Sequence, residues 1–232
     1  MSGCAEMSYK DVAGRVHTVD LTAVTVRELA GAEPWRVFRG YRGQRHYSGY
    51  YWSATTGSHV IYESRLELAR LLLADFDREV VGIVAQPFLM TGHDGARVRR
   101  HVPDFLLMRG DGLAEVVNVK PAERLVRPKV AEALGWAGQV LAGAGLAHEV
   151  WTGVDPVRLA NIRFLAGYRY GERVDAGAVA AADAAVTSPV PLCEIAGDEV
   201  AKAGVLHLLW RGVLRTDLDV LLSGHSVLER AS

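Results

Sequence analysis

The stretch His101–Lys120, HVPDFLLMRGDGLAEVVNVK, decides how the chain is read. Asp104 to Met108 is a short apolar run, Gly110-Asp111-Gly112 supplies a turn, and Leu113 to Lys120 returns as a second β-rich run. Two strands joined by a tight turn are predicted. Successive side chains of a strand point to opposite faces, so Val116, Asn118 and Lys120 share one face and Glu115, Val117 and Val119 the other. An acid therefore opens the first strand, and an amide and a lysine close the second. A strand end emerging into solvent would carry Lys120 equally well, so what these positions do depends on what the rest of the chain brings to them.

Upstream, Val80 to Gln86 is β-rich and Phe88 to Thr91 continues it after Pro87. His93-Asp94-Gly95 supplies a turn and Arg97 to Val102 returns, which predicts a hairpin. Before these strands Tyr62, Leu66, Ala69, Leu73 and Phe76 recur at helical spacing, an amphipathic helix over 62–76. Glu63 flanks that apolar stripe, either as a solvated edge residue or as a carboxylate aimed into a cleft. Glu67 and Arg70 lie further round. Residues 1–56 have weak periodicity. Within them Arg39 to Trp52 interleaves bases with aromatics, the composition of a nucleic-acid-contacting surface or of a Gly-rich loop whose aromatics tuck into the core.

Downstream, Pro128 to Leu141 predicts a helix with proline near its first turn, ended by Gly143 and Gly145. Ala147 to Trp151 is a strand. Asp155 caps a further helix, with Pro156 at its first position, running to about Ala166. Helix, several strands, helix, strand, helix predicts an α/β fold with a mixed sheet flanked by helices. The Ala-rich run Asp175–Val186, broken by Ser188-Pro-Val-Pro191, suggests a linker over 172–191. It would divide a domain of residues 1–171 from a small helical, winged-helix-like module of residues 192–232. Arg211 to Leu222 would be its third helix, or a helix plus wing. The alternative is a helical extension packed on the first domain.

Half of the 232 residues are hydrophobic and the net charge is -1. A protein that binds DNA by broad electrostatics is usually basic, so a nucleic-acid role here needs local patches or a partner. No apolar run reaches the roughly 18 residues of a membrane span, and the N-terminus lacks the layout of a signal peptide. Cys4 and Cys193 form no metal-ligand spacing. A cytoplasmic protein with neither disulfide framework nor zinc site is expected. P-loop, GxGxxG, HExxH and GxSxG motifs are absent. His59, His101 and His148 are individually best read as structural or surface groups, with His101 notable only for preceding Asp104 by three residues.

Spaced carboxylates followed by a lysine suit metal-assisted phosphodiester cleavage, because hard cations take oxygen ligands and a nearby cation stabilises developing charge. Glu63, Asp104, Asn118 and Lys120 occur within an ordered set of segments: Tyr41-Arg-Gly-Gln-Arg45, Tyr50-Tyr-Trp-Ser-Ala-Thr-Thr-Gly57, Tyr62-Glu-Ser64, Val80-Val-Gly-Ile-Val-Ala-Gln-Pro-Phe88, His101-Val-Pro-Asp-Phe105, Val117-Asn-Val-Lys-Pro121 and Phe164-Leu-Ala-Gly-Tyr168. The set resembles the PD-(D/E)XK nuclease superfamily and, more closely, TnsA-like heteromeric transposase endonuclease subunits. The resemblance implies a restriction-endonuclease-like core and hydrolysis of double-stranded DNA at transposon ends. Mg2+, for which Mn2+ could substitute, would be held by Glu63, Asp104 and Asn118, the last in the variable middle position. Lys120 would orient or stabilise the attacking water and phosphate. Gln86 would support the site or touch the phosphate backbone. A DDE-type recombinase subunit, and a regulatory ATPase, would be partners. Arg97, Arg99 and Arg100 on one side of the site, Arg127 and Lys129 on the other, and Arg42 and Arg45 in the basic-aromatic segment are candidate DNA contacts. The alternatives are a non-cleaving DNA-binding or assembly protein with a degenerate site, and a stand-alone defence nuclease.

Overall fold

A computed structural model describes residues 5–36, 47–95 and 97–231. The chain forms two compact units, Met1–Asp75 with Glu79–Gly153, and Phe76–Arg78 with Val154–Ser232. Several sheets and eight helices among the described residues make it a mixed α/β protein. Among the same residues no helix is long and apolar enough to cross a membrane.

In the first unit, strands β1 (Glu6–Lys10) and β2 (Val16–Asp20), helix α1 (Val26–Ala30), and strands β3 (Gly49–Ser53) and β4 (Ser58–Tyr62) precede helix α2 (Arg65–Phe76). Strands β5 (Val80–Ala85), β6 (Leu89–Asp94), β7 (Arg97–His101), β8 (Phe105–Arg109) and β9 (Ala114–Val119) follow. Helices α3 (Ala122–Leu125) and α4 (Pro128–Gly143) then lead to β10 (Ala147–Trp151). One sheet has the order β10-β9-β8-β5, a second the order β2-β1-β6-β7, and β3 pairs with β4. In the first sheet β5/β8 and β8/β9 are antiparallel, while β9/β10 is parallel. A parallel pair needs a crossover, and α4 provides it.

Register decides what each face buries. Val84 pairs with Leu106 and Leu106 with Val116, so the three side chains share a face. With Ala114 they pack against Trp136, Ala137 and Leu141 of α4 and against Met7, Tyr9 and Met90 of the second sheet. On the opposite face Glu115 and Glu149 meet Arg70 of α2, whose Nη2 lies 2.8 Å from Glu149 Oε2 and 4.0 Å from Glu115 Oε2. The sheet thus carries a helix on each face. At the C-terminal end of α2, the buried Asp75 carboxylate accepts from Tyr51 Oη (2.7 Å), Ser53 Oγ (2.6 Å) and the Ala54 and Thr55 amides. That ties the β3–β4 hairpin to α2.

The hairpin over 89–101 and the helix of 128–143 lie where periodicity places them. α2 instead starts at Arg65, because Tyr62 still belongs to β4 and Ser64 caps the helix: its Oγ accepts from Glu67 N at 3.1 Å. The weakly periodic N-terminal region holds β1, β2, α1 and β3, elements of five residues each. Such short runs complete too few repeats to be seen by pattern.

The second unit contains α5 (Pro156–Leu165), α6 (Ala176–Ala185), β11 (Val190–Pro191), α7 (Leu192–Ile195), α8 (Glu199–Trp210), β12 (Leu214–Arg215) and β13 (Val227–Arg230). Asp155, Asp175 and Asp198 cap α5, α6 and α8 with their carboxylates. The expected linker over 172–191 therefore contains a helix. α6 packs against α8 so closely that a Cβ on Gly204 would come within 2.7 Å of the Ala178 carbonyl oxygen. An Ala-rich run reads as low complexity in sequence, yet small side chains are what such an approach requires. The division falls at Gly153/Val154, not 171/172, because α5 and the turn after it pack with α8. There Tyr168 O accepts from His207 Nδ1 at 2.7 Å. Residues 211–222 form β12 and a turn, not a helix, and a small sheet of order β11-β13-β12 follows.

Candidate active site

The N-terminal end of β8 and the C-terminal end of β9 bring the predicted residues together. Asp104 N donates to Val117 O at 3.1 Å, just before the Phe105–Val117 pair that opens the β8–β9 ladder. Asp104 Oδ2 accepts from Val119 N at 2.6 Å and from Lys120 Nζ at 3.4 Å. Lys120 Nζ also donates to Val119 O at 3.0 Å, and its own amide donates to Trp151 O. The lysine is thus held over the carboxylate by its own strand end.

Gln86 joins Glu63 to this pair. Its amide donates to Asp104 O at 2.9 Å, and its Nε2 donates to Glu63 Oε1 at 2.6 Å. Its Oε1 accepts from Arg36 N at 3.0 Å, and its carbonyl accepts from Trp35 N at 2.9 Å. Among the described residues Gln86 is the single non-glycine with positive φ, 47°. Such a conformation costs on the order of 1–3 kcal/mol and persists only where surroundings over-determine it. Here four hydrogen bonds hold it, so Glu63, from the β4–α2 junction, is fixed to the Asp104 strand.

Glu67 stands next to these acids, an arrangement that helix spacing alone did not single out. Its carboxylate accepts from Glu63 N at 2.7 Å and from Ser64 Oγ at 3.0 Å. Burial, with the Asp104 and Glu63 charges adding to it, raises its pKa to about 7.

Asn118 departs from the expected metal-ligand role. It is 0 % exposed, and its Oδ1 lies 2.7 Å from His101 Nε2 while its Nδ2 lies 2.8 Å from His148 Nε2. Both ends of the amide are engaged, so the oxygen a cation would take already bonds an imidazole. His148 is on the face of Asn118 because β10 pairs with β9 in parallel, His148 against Val116. Gly138 of α4 makes room for the ring: a Cβ there would lie 2.9 Å from His148 Nδ1. Burial lowers the pKa of both imidazoles, and for His148 the nearby His101 lowers it further. Neither histidine stood out in sequence, since each gains its meaning from the other across Asn118.

Of the basic candidates, Arg97, Arg100, Arg127 and Lys129 are exposed. Arg99 is pinned by Asp94 and by Glu132, with Nη2 3.4 Å from Glu132 Oε2. It serves the hairpin and is a poor DNA contact. Arg42 and Arg45 lie outside the described residues.

Among the described residues no three His, Cys, Asp or Glu side chains form a ready-made metal cage. Mg2+, however, usually keeps several waters and is held by one or two carboxylates plus substrate phosphate. Glu63 Oε2 and Asp104 Oδ1 accept no hydrogen bond among the described residues, so each carboxylate keeps an oxygen for a hard cation. These two carboxylates are the donor type such a magnesium site uses, while Asn118 Oδ1 already bonds His101. No protein-family model matches the chain and no curated protein matches it.

Proposed function

We propose that the chain is a Mg2+-dependent DNA endonuclease subunit of the TnsA-like kind, working beside a DDE-type recombinase that supplies most of the DNA affinity. The observation that carries this reading is the link Glu63–Gln86–Asp104–Lys120: two acids and a lysine joined at the end of one sheet by a strained glutamine. The order helix, three antiparallel strands, crossover helix, parallel strand supports a restriction-endonuclease-like core, with the β6–β7 hairpin inserted. Glu63 and Asp104 would hold the cation, which activates water and offsets charge on the scissile phosphate when bound. Lys120 would stabilise charge developing on the phosphate oxygens. The exposed Arg97 and Arg100, with Arg127 and Lys129, would meet the DNA backbone. The second unit, with α6, α7, α8 and a short three-stranded sheet, suits a winged-helix-like module for recruiting DNA, the recombinase or a regulatory ATPase.

A non-cleaving assembly protein is the second reading, favoured by the engaged Asn118 amide and a net charge of -1. The deciding experiment incubates the full chain with transposon-end or nonspecific duplex DNA and Mg2+ or Mn2+, with and without a candidate recombinase. Metal-dependent cutting lost in Asp104→Ala supports the nuclease. DNA binding without cutting under every condition supports the assembly protein.

A further inference from the structure

We propose that His101 is the general base of this centre, with Asn118 and His148 fixing its orientation and tautomer. The assignment rests on the nuclease reading and adds to it a residue outside the acid–acid–lysine set.

Three observations meet on His101. Its Nε2 lies 2.7 Å from Asn118 Oδ1, and Asn118 Nδ2 lies 2.8 Å from His148 Nε2. An amide oxygen only accepts and an amide nitrogen only donates. His101 therefore carries its proton on Nε2, and His148 accepts on its own Nε2. The amide in the middle also forbids charging both rings together, because its N–H requires an unprotonated His148 nitrogen. Second, His101 Nδ1 takes no hydrogen bond among the described residues and is not among the buried polar atoms left without a partner. The neutral ring thus presents an unshared pair on Nδ1 that is not sealed from solvent. Third, His101 belongs to the same corner as the proposed ligands. It closes β7 three residues before Asp104, and its partner Asn118 stands two residues before Lys120 at the end of β9. The charged groups acting on it are Asp104, which favours protonation, and Lys120 and Arg36, which oppose it. His148, across Asn118, is itself subject to Glu149. A neutral, oriented imidazole at a site otherwise built of carboxylates and a lysine is what a proton acceptor requires.

In the step itself the water oxygen bonds to phosphorus and its proton passes to His101 Nδ1. The bond from phosphorus to the departing sugar oxygen breaks, its electron pair stays on that oxygen, and a solvent proton completes the hydroxyl. The imidazolium then returns its proton to solvent. A positioned base of this kind contributes about 10²–10⁴-fold.

The test uses the full chain with duplex DNA and Mg2+, with and without the candidate recombinase. His101→Ala should cut at least about a hundredfold more slowly at an unchanged Mg2+ requirement, and added free imidazole should restore part of the rate. Long-range 1H–15N spectra of the folded parent should show His101 protonated on Nε2 and bare on Nδ1. His148→Gln, which keeps a hydrogen-bonding partner for Asn118 but ends the imidazole pair, checks the arrangement where His101→Ala fails to fold. It should cut more slowly than the parent at an unchanged Mg2+ requirement, and a parental rate overturns the arrangement. An active parent with unchanged His101→Ala rates overturns the base assignment alone. So does a bare Nε2 with protonated Nδ1. A raised Mg2+ requirement in His101→Ala makes the ring a metal ligand and likewise overturns it. A parent that never cuts DNA overturns the nuclease reading, and the base assignment with it.

Discussion

Two buried asparagines, one in each unit, show how the same side chain serves different ends. Asn161, 2 % exposed on α5, donates from Nδ2 to Leu218 O and Val220 O, both at 2.8 Å, and accepts at Oδ1 from Leu222 N at 3.0 Å. All its partners are backbone groups of the segment between β12 and β13, so it pins a turn that lacks secondary structure of its own. Asn118, 0 % exposed on β9, spends its amide on two imidazoles. Backbone partners have one state. Imidazoles have two protonation states and two tautomers, so Asn118 sits in a network that can respond to protons. A buried amide is worth its bonds in both places, because an unpaired buried donor or acceptor costs about 1–3 kcal/mol. Only the partners tell a structural amide from one that organises a site.

The largest expected effect falls on chemistry. If the Asn118 corner belongs to an active centre, Lys120→Ala should slow DNA cleavage by about 10²–10³-fold, the usual loss when one stabilising donor is removed, while the thermal midpoint barely moves. Equal rates for parent and variant would remove Lys120 from the centre and leave Asn118 beside an inert strand end.

The next effect separates the asparagines by stability. Asn161→Ala orphans two carbonyls and an amide and should cost about 3–5 kcal/mol, read from chemical denaturation. Asn118→Ala, with two imidazoles able to turn toward water, should cost less while affecting cleavage more. If Asn118→Ala proved the more destabilising, the contrast between structural and site-organising amides would be broken.

A charge tests the network directly. Asn118→Asp places a carboxylate between His101 and His148, and an opposite charge within hydrogen-bond distance raises an imidazole pKa. Both histidines should titrate higher in NMR than in the parent, where burial holds them low. The Mg2+ concentration needed for cleavage should stay the same, since position 118 faces imidazoles. A lowered requirement would return position 118 to the metal.

The smallest effect concerns Glu67. Its pKa in the fold is raised from 4.5 to about 7, so folding favours the protonated acid. The stability this contributes is fully present below pH 4.5 and is lost as pH rises through about 7. Glu67→Gln keeps an acceptor for Glu63 N and removes the titration, so its stability should fall less across that window than the parent's. Parallel pH–stability curves would show Glu67 already ionised in the fold.

Sequence pattern carried the parts of the protein that repeat. The strands 80–85, 105–109 and 114–119 and the helix of 128–143 all follow from periods of two and 3.6 residues over enough positions to register. The choice of Glu63, Gln86, Asp104 and Lys120 came instead from the resemblance of the ordered segments, since each residue alone reads equally well as a solvated group. Tertiary structure alone decided the rest. The Ala-rich run became a helix because α8 offers Gly204 for a close approach, a fact of packing that composition cannot express. Glu67 acquired its shifted pKa from burial and from two acids outside its own turn. Asn118 acquired partners its position did not suggest because His101, from β7, and His148, from β10, reach its amide across 17 and 30 residues of sequence. Periodicity is local and a hydrogen bond is not, so the sequence names the groups and only the fold selects their partners.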